Sequence, residues 1–288
     1  MTKNTQAKIF AHSDWDIIPV LAGVAHLFFV IWLFLHLPVL PVWESLPLLM
    51  LYAISISWNI NGVSHNFLHN AYFTSHTLNR AFSMVESLAI GFSQAFYTWV
   101  HNRHHSGNSD RPDANGDTID WLSIYKHGKD GKPENVWSYA FKSYFRDDIK
   151  KLYQGLYKQS PANAHFGLIE LGCLALMVVI MLLLNWKALL VMIIFNYLGN
   201  CLSSLNGFFE HFGGNPDKPI AWGVSSYNWL YNFLWFNNGY HAEHHFRPRM
   251  HWMKMKTFHE SIKKEQEETG VHVIRHCHAL GFLDMKTV

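Results

Sequence analysis

The chain has 288 residues, of which 49% are hydrophobic, 16% aromatic and only 15% charged. Soluble domains carry roughly 25% charged residues, so the composition argues for a membrane protein. A formal net charge of +2 gives no support to nucleic-acid binding. The three cysteines, Cys173, Cys201 and Cys277, form no CxxC pair, which argues against structural disulfides and an intrinsic iron–sulfur cluster.

A membrane-crossing helix needs about 20 mostly apolar residues. The first 16 residues are polar and read as a cytoplasmic N-terminal segment, and no signal-peptide cleavage pattern follows them. The first apolar run, Ile17 to His36, ends at the turn Leu37-Pro38-Val39-Leu40-Pro41. The second, about Leu46 to Val63, leads directly into His65-Asn-Phe-Leu-His69. Ala81–Val100 and Ser225–Asn237 mix apolar, aromatic and polar residues. They read as interfacial or re-entrant, because a crossing at either place would put histidine clusters on opposite sides of the membrane. Ser106–Lys132 is a Gly-, Asp-, Asn- and Pro-containing connection. The runs Phe166–Leu184 and Ala188–Phe209 are separated only by Asn185-Trp186-Lys187, which predicts a tight antiparallel hairpin.

The expected fold is thus all-α and integral to the membrane. It has four transmembrane helices in two hairpins, interfacial helices and a cytoplasmic histidine-rich cap. The membrane domain spans 17–245. A cytoplasmic tail, 246–288, follows, in which Trp252–Glu267 suits an amphipathic helix on the membrane surface. Of 23 Lys and Arg residues, only Lys187 falls in the two outer connections. This asymmetry places both termini and the histidines in the cytoplasm.

Histidine is the outlier, at 20 residues. His65 and His69 form HxxxH; His101, His104 and His105 form HxxHH; His241, His244 and His245 form HxxHH again. On a helix, residues at i, i+3 and i+4 share one side, so each box can direct its imidazoles together. Glu210-His211 adds a fourth element just beyond the last run. Nine histidines exceed the needs of one metal, and the absence of thiolates argues against structural zinc. The count favours two metals with exchangeable positions. His276-Cys277-His278 in the tail is a weaker candidate, for which a surface coincidence is the favoured reading.

The three boxes in this order resemble the membrane fatty acid desaturase superfamily. The similarity extends through His65–Arg80 (HNFLHNAYFTSHTLNR), Trp99–Asp113 (WVHNRHHSGNSDRPD) and Asn238–Pro248 (NGYHAEHHFRP), covering about 60–250. It implies two iron ions held by the eight box histidines. The context Phe208-Phe-Glu-His211-Phe-Gly resembles membrane alkane monooxygenases and implies His211 as a ninth ligand. His76 departs from the pattern and reads as interfacial or outer-layer. Asp110, Asp113, Glu210 and Glu243 are candidates to orient imidazoles. Phe92, Phe96, Trp99, Trp229 and Trp235 are candidates to line an apolar tunnel, with membrane-interface anchoring as the alternative.

With O2 as co-substrate, the implied activity is oxidation of an unactivated C–H bond of a fatty acyl or lipid chain. Desaturation leads; hydroxylation and alkene-forming decarboxylation are alternatives. A membrane metal-binding or transport protein is the alternative of another class. No flavin or nicotinamide fingerprint is present, so electrons are expected from a ferredoxin, rubredoxin or cytochrome b5-type donor, docking near Arg247, Arg249, Lys254 and Lys256. Anionic membrane lipids are the other expected partners of those cations.

Overall fold

The computed structural model describes residues 8–284, so the first seven positions of the N-terminal segment and the last four of the tail lie outside the described residues. Helix α1, Ile17–His36, follows a short turn in which the Ser13 side chain accepts from the Trp15 backbone N–H. Helix α2, Val42–His69, is continuous but contains one π-helical stretch, Ile60–Ser64. A π turn adds a residue and rotates everything after it, which resets where the following His65 and His69 point. The predicted interfacial stretch Ala81–Val100 is broken in two. Helix α3, His76–Ile90, stops at Gly91, whose φ of 89° suits a residue without Cβ. Helix α4, Gln94–Gly107, restarts with Ser93 as its side-chain cap and carries the second histidine box.

Helices α5 (Val136–Lys142) and α6 (Ile149–Gln159) lead into α7, Pro161–Phe209. Helix α7 is interrupted at Asn185, where φ is −160° and ψ is 89°. The Asn185 side chain then caps the second half by accepting from the Ala188 N–H at 3.0 Å. Glu170 in the first half accepts from the Ala95 N–H, while Asn196 in the second donates to the Ile90 carbonyl. An unbroken helix would separate residues 170 and 196 by about 39 Å at 1.5 Å per residue. Both meet the same short 90–95 turn, so the chain reverses at Asn185.

Among the described residues, three helices are long and apolar enough to cross a membrane: Asp14–His36, Val42–His69 and this interrupted Pro161–Phe209. Their shared core joins Leu33 and Phe34 of α1, Tyr52 and Ile56 of α2, Ile90 of α3, and Leu189 and Met192 of α7. Their outward faces remain apolar, with Leu183 80% exposed, as a lipid-facing surface requires. Glu170, the one acid within the α7 apolar run, is buried and also accepts from Ser83 and Ser93.

The remaining elements form a cap. Helix α8, Trp229–Leu234, is too short to cross, and α9, His241–Phe246, carries the third box. Helix α10, Met255–Thr269, corresponds to the expected amphipathic helix. Its buried residues Met255, His259 and Gln266 face the protein, because Glu243 of α9 accepts from His259. Strands β1 (Ser225–Ser226) and β2 (Val273–Ile274) pair in parallel, tying the tail to the segment before the third box.

Candidate metal centre

Imidazoles from four segments converge in two adjoining groups. His65, His69, His101, His105 and His244 form one; His104, His211, His241 and His245 form the other. Within each group, one nitrogen per ring lies within 4.8 Å of all the others. The groups touch through His105 and His245, whose ring centroids are 4.3 Å apart, and through His104 and His105 at 5.6 Å.

The two HxxHH boxes each divide between the groups. His101 and His105 stay together while His104 crosses over; His241 and His245 stay together while His244 crosses over. The expectation that each box aims at one point is corrected accordingly. At about 100° per residue, positions i and i+4 lie about 40° apart, whereas i+3 lies on the other side of i. One helical box therefore serves two centres.

The donor set fits metal ions. Nε2 atoms in the first group approach one another at 2.9 Å (His105 to His244), 3.0 Å (His65 to His244, His101 to His105) and 3.1 Å (His69 to His105). Metal–imidazole bonds of about 2.1 Å put neighbouring ligands of one octahedral ion about 3.0 Å apart. In the second group, His211 and His241 approach through Nε2 at 3.2 Å, and His245 is buried with neither ring nitrogen hydrogen-bonded, so one of them is open to an ion. Buried polar atoms left unsatisfied carry a free-energy penalty that coordination removes.

Outer residues set which nitrogen faces inward. His65 Nδ1 donates to Asn238 Oδ1 at 2.8 Å, and His104 Nδ1 donates to Asp120 Oδ2 at 2.8 Å. Each leaves the Nε2 lone pair free for a metal. Asn238 Nδ2 in turn donates to Glu210 Oε1 at 2.8 Å, and the Glu210 carboxylate lies 3.6 Å from His241 Nδ1. This chain of contacts links a ligand of each group. Burial pulls His101, His105, His211, His241, His244 and His245 well below the ordinary histidine range, so they are neutral at pH 7, the form that can bind a metal. His104 differs: burial lowers it, but the charge and hydrogen bond of Asp120 outweigh burial and leave it raised. Burial pushes Glu210 up to about 7, against the opposing effect of Asn238.

Other sequence candidates fall elsewhere. His76 is exposed on the first turn of α3 and joins neither group. Asp113 is exposed and accepts from the backbone of Asn115 and Asp117 within its own turn. Asp110 accepts from the N–H groups of Ile119 and Asp120, and so supports the loop that delivers Asp120. Glu243 accepts from His259, Ser225 and Tyr227, anchoring the cap without touching a group member's ring. Phe96 packs into the core beside Trp99, and Phe92 lies against Tyr97, whose ring is 5.7 Å from His101. Trp235 stacks near Tyr231, while Trp229 is 75% exposed and suits the anchoring alternative. His278 bonds the Val224 carbonyl and Tyr231, away from His276, so the tail triplet does not converge.

The fatty acid desaturase family profile matches residues 41–276, well over half of the chain and all nine grouped histidines. The protein belongs to the fatty acid desaturase family. No curated protein and no solved structure matches the chain significantly. For this desaturase-family chain, the sequence left Asp120 and Asn238 unassigned. Asn238 had a signal in its place three residues before His241, whereas Asp120 stands 16 residues beyond its partner, in an irregular loop.

Proposed function

We propose that this desaturase-family protein uses O2 and external electrons to oxidise an unactivated C–H bond of a fatty acyl or lipid chain, most directly to an alkene. The convergence of nine imidazoles into two touching groups supports this reading above all. Two iron ions would be held by His65, His69, His101, His105 and His244, and by His104, His211, His241 and His245. When bound, such a pair supplies the oxidising power that no side chain has.

The chain's own residues hold and insulate that site. Asn238 and Asp120 fix the proton on Nδ1 of His65 and His104, and so fix ring orientation. Glu210, buried between Asn206, Asn238 and His241, holds negative charge or a proton beside the second group. The buried rings exclude water, so a reacting carbon held there avoids competing hydration. Hydroxylation is the second reading, favoured by the Glu210-His211 context. Alkene-forming decarboxylation is a third.

The proposed topology is four crossings in two hairpins, α1 with α2 and the two halves of α7. Both termini and the metal site then face the cytoplasm, where a ferredoxin, rubredoxin or cytochrome b5-type donor supplies electrons. A transport role fits less well: His26 is bonded by Ser55 and Asn59, and Glu170 by two serines and a backbone amide. None of these is a free ionisable step across the membrane.

The test is purified protein with a reduced donor, O2 and a deuterated acyl chain. We expect about two irons per chain and a product lighter by two hydrogens or deuteriums. An alcohol would establish the second reading, and a terminal alkene one carbon shorter the third. One zinc per chain with no reductant-dependent oxygen uptake would refute the oxidative reading.

A further inference from the structure

Apart from the metal site, a cavity of ≈ 260 Å³ lies where α2, α3, α4 and the α6–α7 junction meet. None of the nine grouped imidazoles lines it. Phe67, Trp99 and Leu156 give it an apolar wall, while Arg80, Asn102 and Asn163 give it polar groups. The Arg80 guanidinium is preset: Nη2 donates to Asn163 Oδ1 at 2.5 Å, and its carbon stands 4.1 Å above the Phe166 ring. Arg80 forms no ion pair among the described residues. Glu170 does not neutralise it by contact, because its oxygens are taken by Ser83, Ser93 and the Ala95 N–H.

The chemistry of this cavity selects its ligand. With Asn163 Oδ1 accepting from Arg80, the Asn163 amide N–H groups remain to donate. Arg80 is a planar donor fork matched to carboxylate or phosphate oxygens. The adjoining apolar wall suits methylenes. Whole small-molecule pockets run to roughly 300–1,000 Å³, so this volume accommodates a head group and the first few carbons. We propose that the cavity binds the anionic head of a membrane amphiphile, a carboxylate or a phosphate, through Arg80 and Asn163.

The site is separate from the metal reading and is tested without metal, reductant or turnover. Purified wild-type protein in phosphatidylcholine nanodiscs is titrated with oleate in one arm and phosphatidylglycerol in another, with retained ligand counted by native mass spectrometry. We expect one saturable anionic ligand per chain and at least about tenfold weaker binding in Arg80→Gln, the scale of one charge-assisted contact. Arg80→Lys should recover part of the affinity. Loss confined to oleate identifies a free fatty carboxylate, and loss confined to phosphatidylglycerol identifies a lipid phosphate. Unchanged binding of both ligands in Arg80→Gln overturns the proposal. Should Arg80→Gln fail to fold, Ala71→Phe at the exposed rim decides: retained affinity overturns the site, and loss supports it. Failure of the oxidative activity would leave these results unaffected.

Discussion

His278 shows how a single side chain joins the tail to the candidate metal centre. Its Nε2 donates to the Val224 carbonyl at 2.9 Å, and its Nδ1 accepts from the Tyr231 hydroxyl at 3.1 Å. Tyr231 also accepts from Asn238, the residue that orients His65. This arrangement needs a neutral ring, and burial lowers His278 from 6.5 to about 4. The unfolded chain therefore binds more protons than the folded one between those values, so stability falls as pH drops through that window. His278→Gln keeps a donor and an acceptor but cannot titrate. It is expected to reduce the pH slope of detergent unfolding between about pH 4 and 6.5 by up to about 1.4 kcal/mol per pH unit. An unchanged slope would show that the folded ring titrates normally. The sequence displayed this histidine only as a neighbour of Cys277. Its partners lie 47 and 54 residues away, and no local periodicity reports such pairings. The box histidines were legible because one helical turn brings them together within five residues.

At the level of elements, the apolar runs of α1 and α2 and both halves of α7 could be read directly, because length and hydropathy are local quantities. The π stretch of α2 could not, since it conserves composition while changing rotation. Helix packing was equally hidden, and it governs how α2, carrying His65 and His69, sits against α7, which ends beside His211. Gly199 marks a close approach between them: a Cβ there would stand 2.6 Å from the Ala53 carbonyl oxygen and 2.6 Å from Ile56 Cβ. A backbone carbonyl inside a helix cannot move aside, so Gly199→Ala must push α2 and α7 apart. Overpacking of this kind costs about 1–3 kcal/mol. The expected outcome is a lower melting temperature and a clear loss of bound iron, although no ligand is altered. Gly172→Ala is the control on the same helix, since a Cβ there meets nothing within 4 Å. Equal iron content in both variants would mean that the α2–α7 spacing does not control the site.

For the whole molecule, the two groups draw ligands from α2, α4, the end of α7 and α9, which span residues 65 to 245. The boxes made this convergence legible as an expectation, but the supporting cap of Asp120, Asn238 and the tail arises only from tertiary packing. That cap matters energetically because the ligand set is assembled only in the folded chain. Metal bound to the folded state and not to the unfolded one adds stability of RT ln(1 + [metal]/Kd), about 4 kcal/mol at a thousandfold excess over Kd. Removal leaves one buried nitrogen of each grouped ring, that of His245 among them, without its bond to the ion. Dialysis against a strong iron chelator should therefore lower the melting temperature of the detergent-solubilised protein, and anaerobic addition of ferrous iron should restore it. The rise on titration should level off near two ions per chain, because the nitrogens divide five and four between adjoining positions. A plateau at one ion would mean that the two groups act as a single mononuclear site. A chelator-insensitive melting curve would mean that the imidazoles are held by protein packing alone, with coordination contributing nothing to the fold.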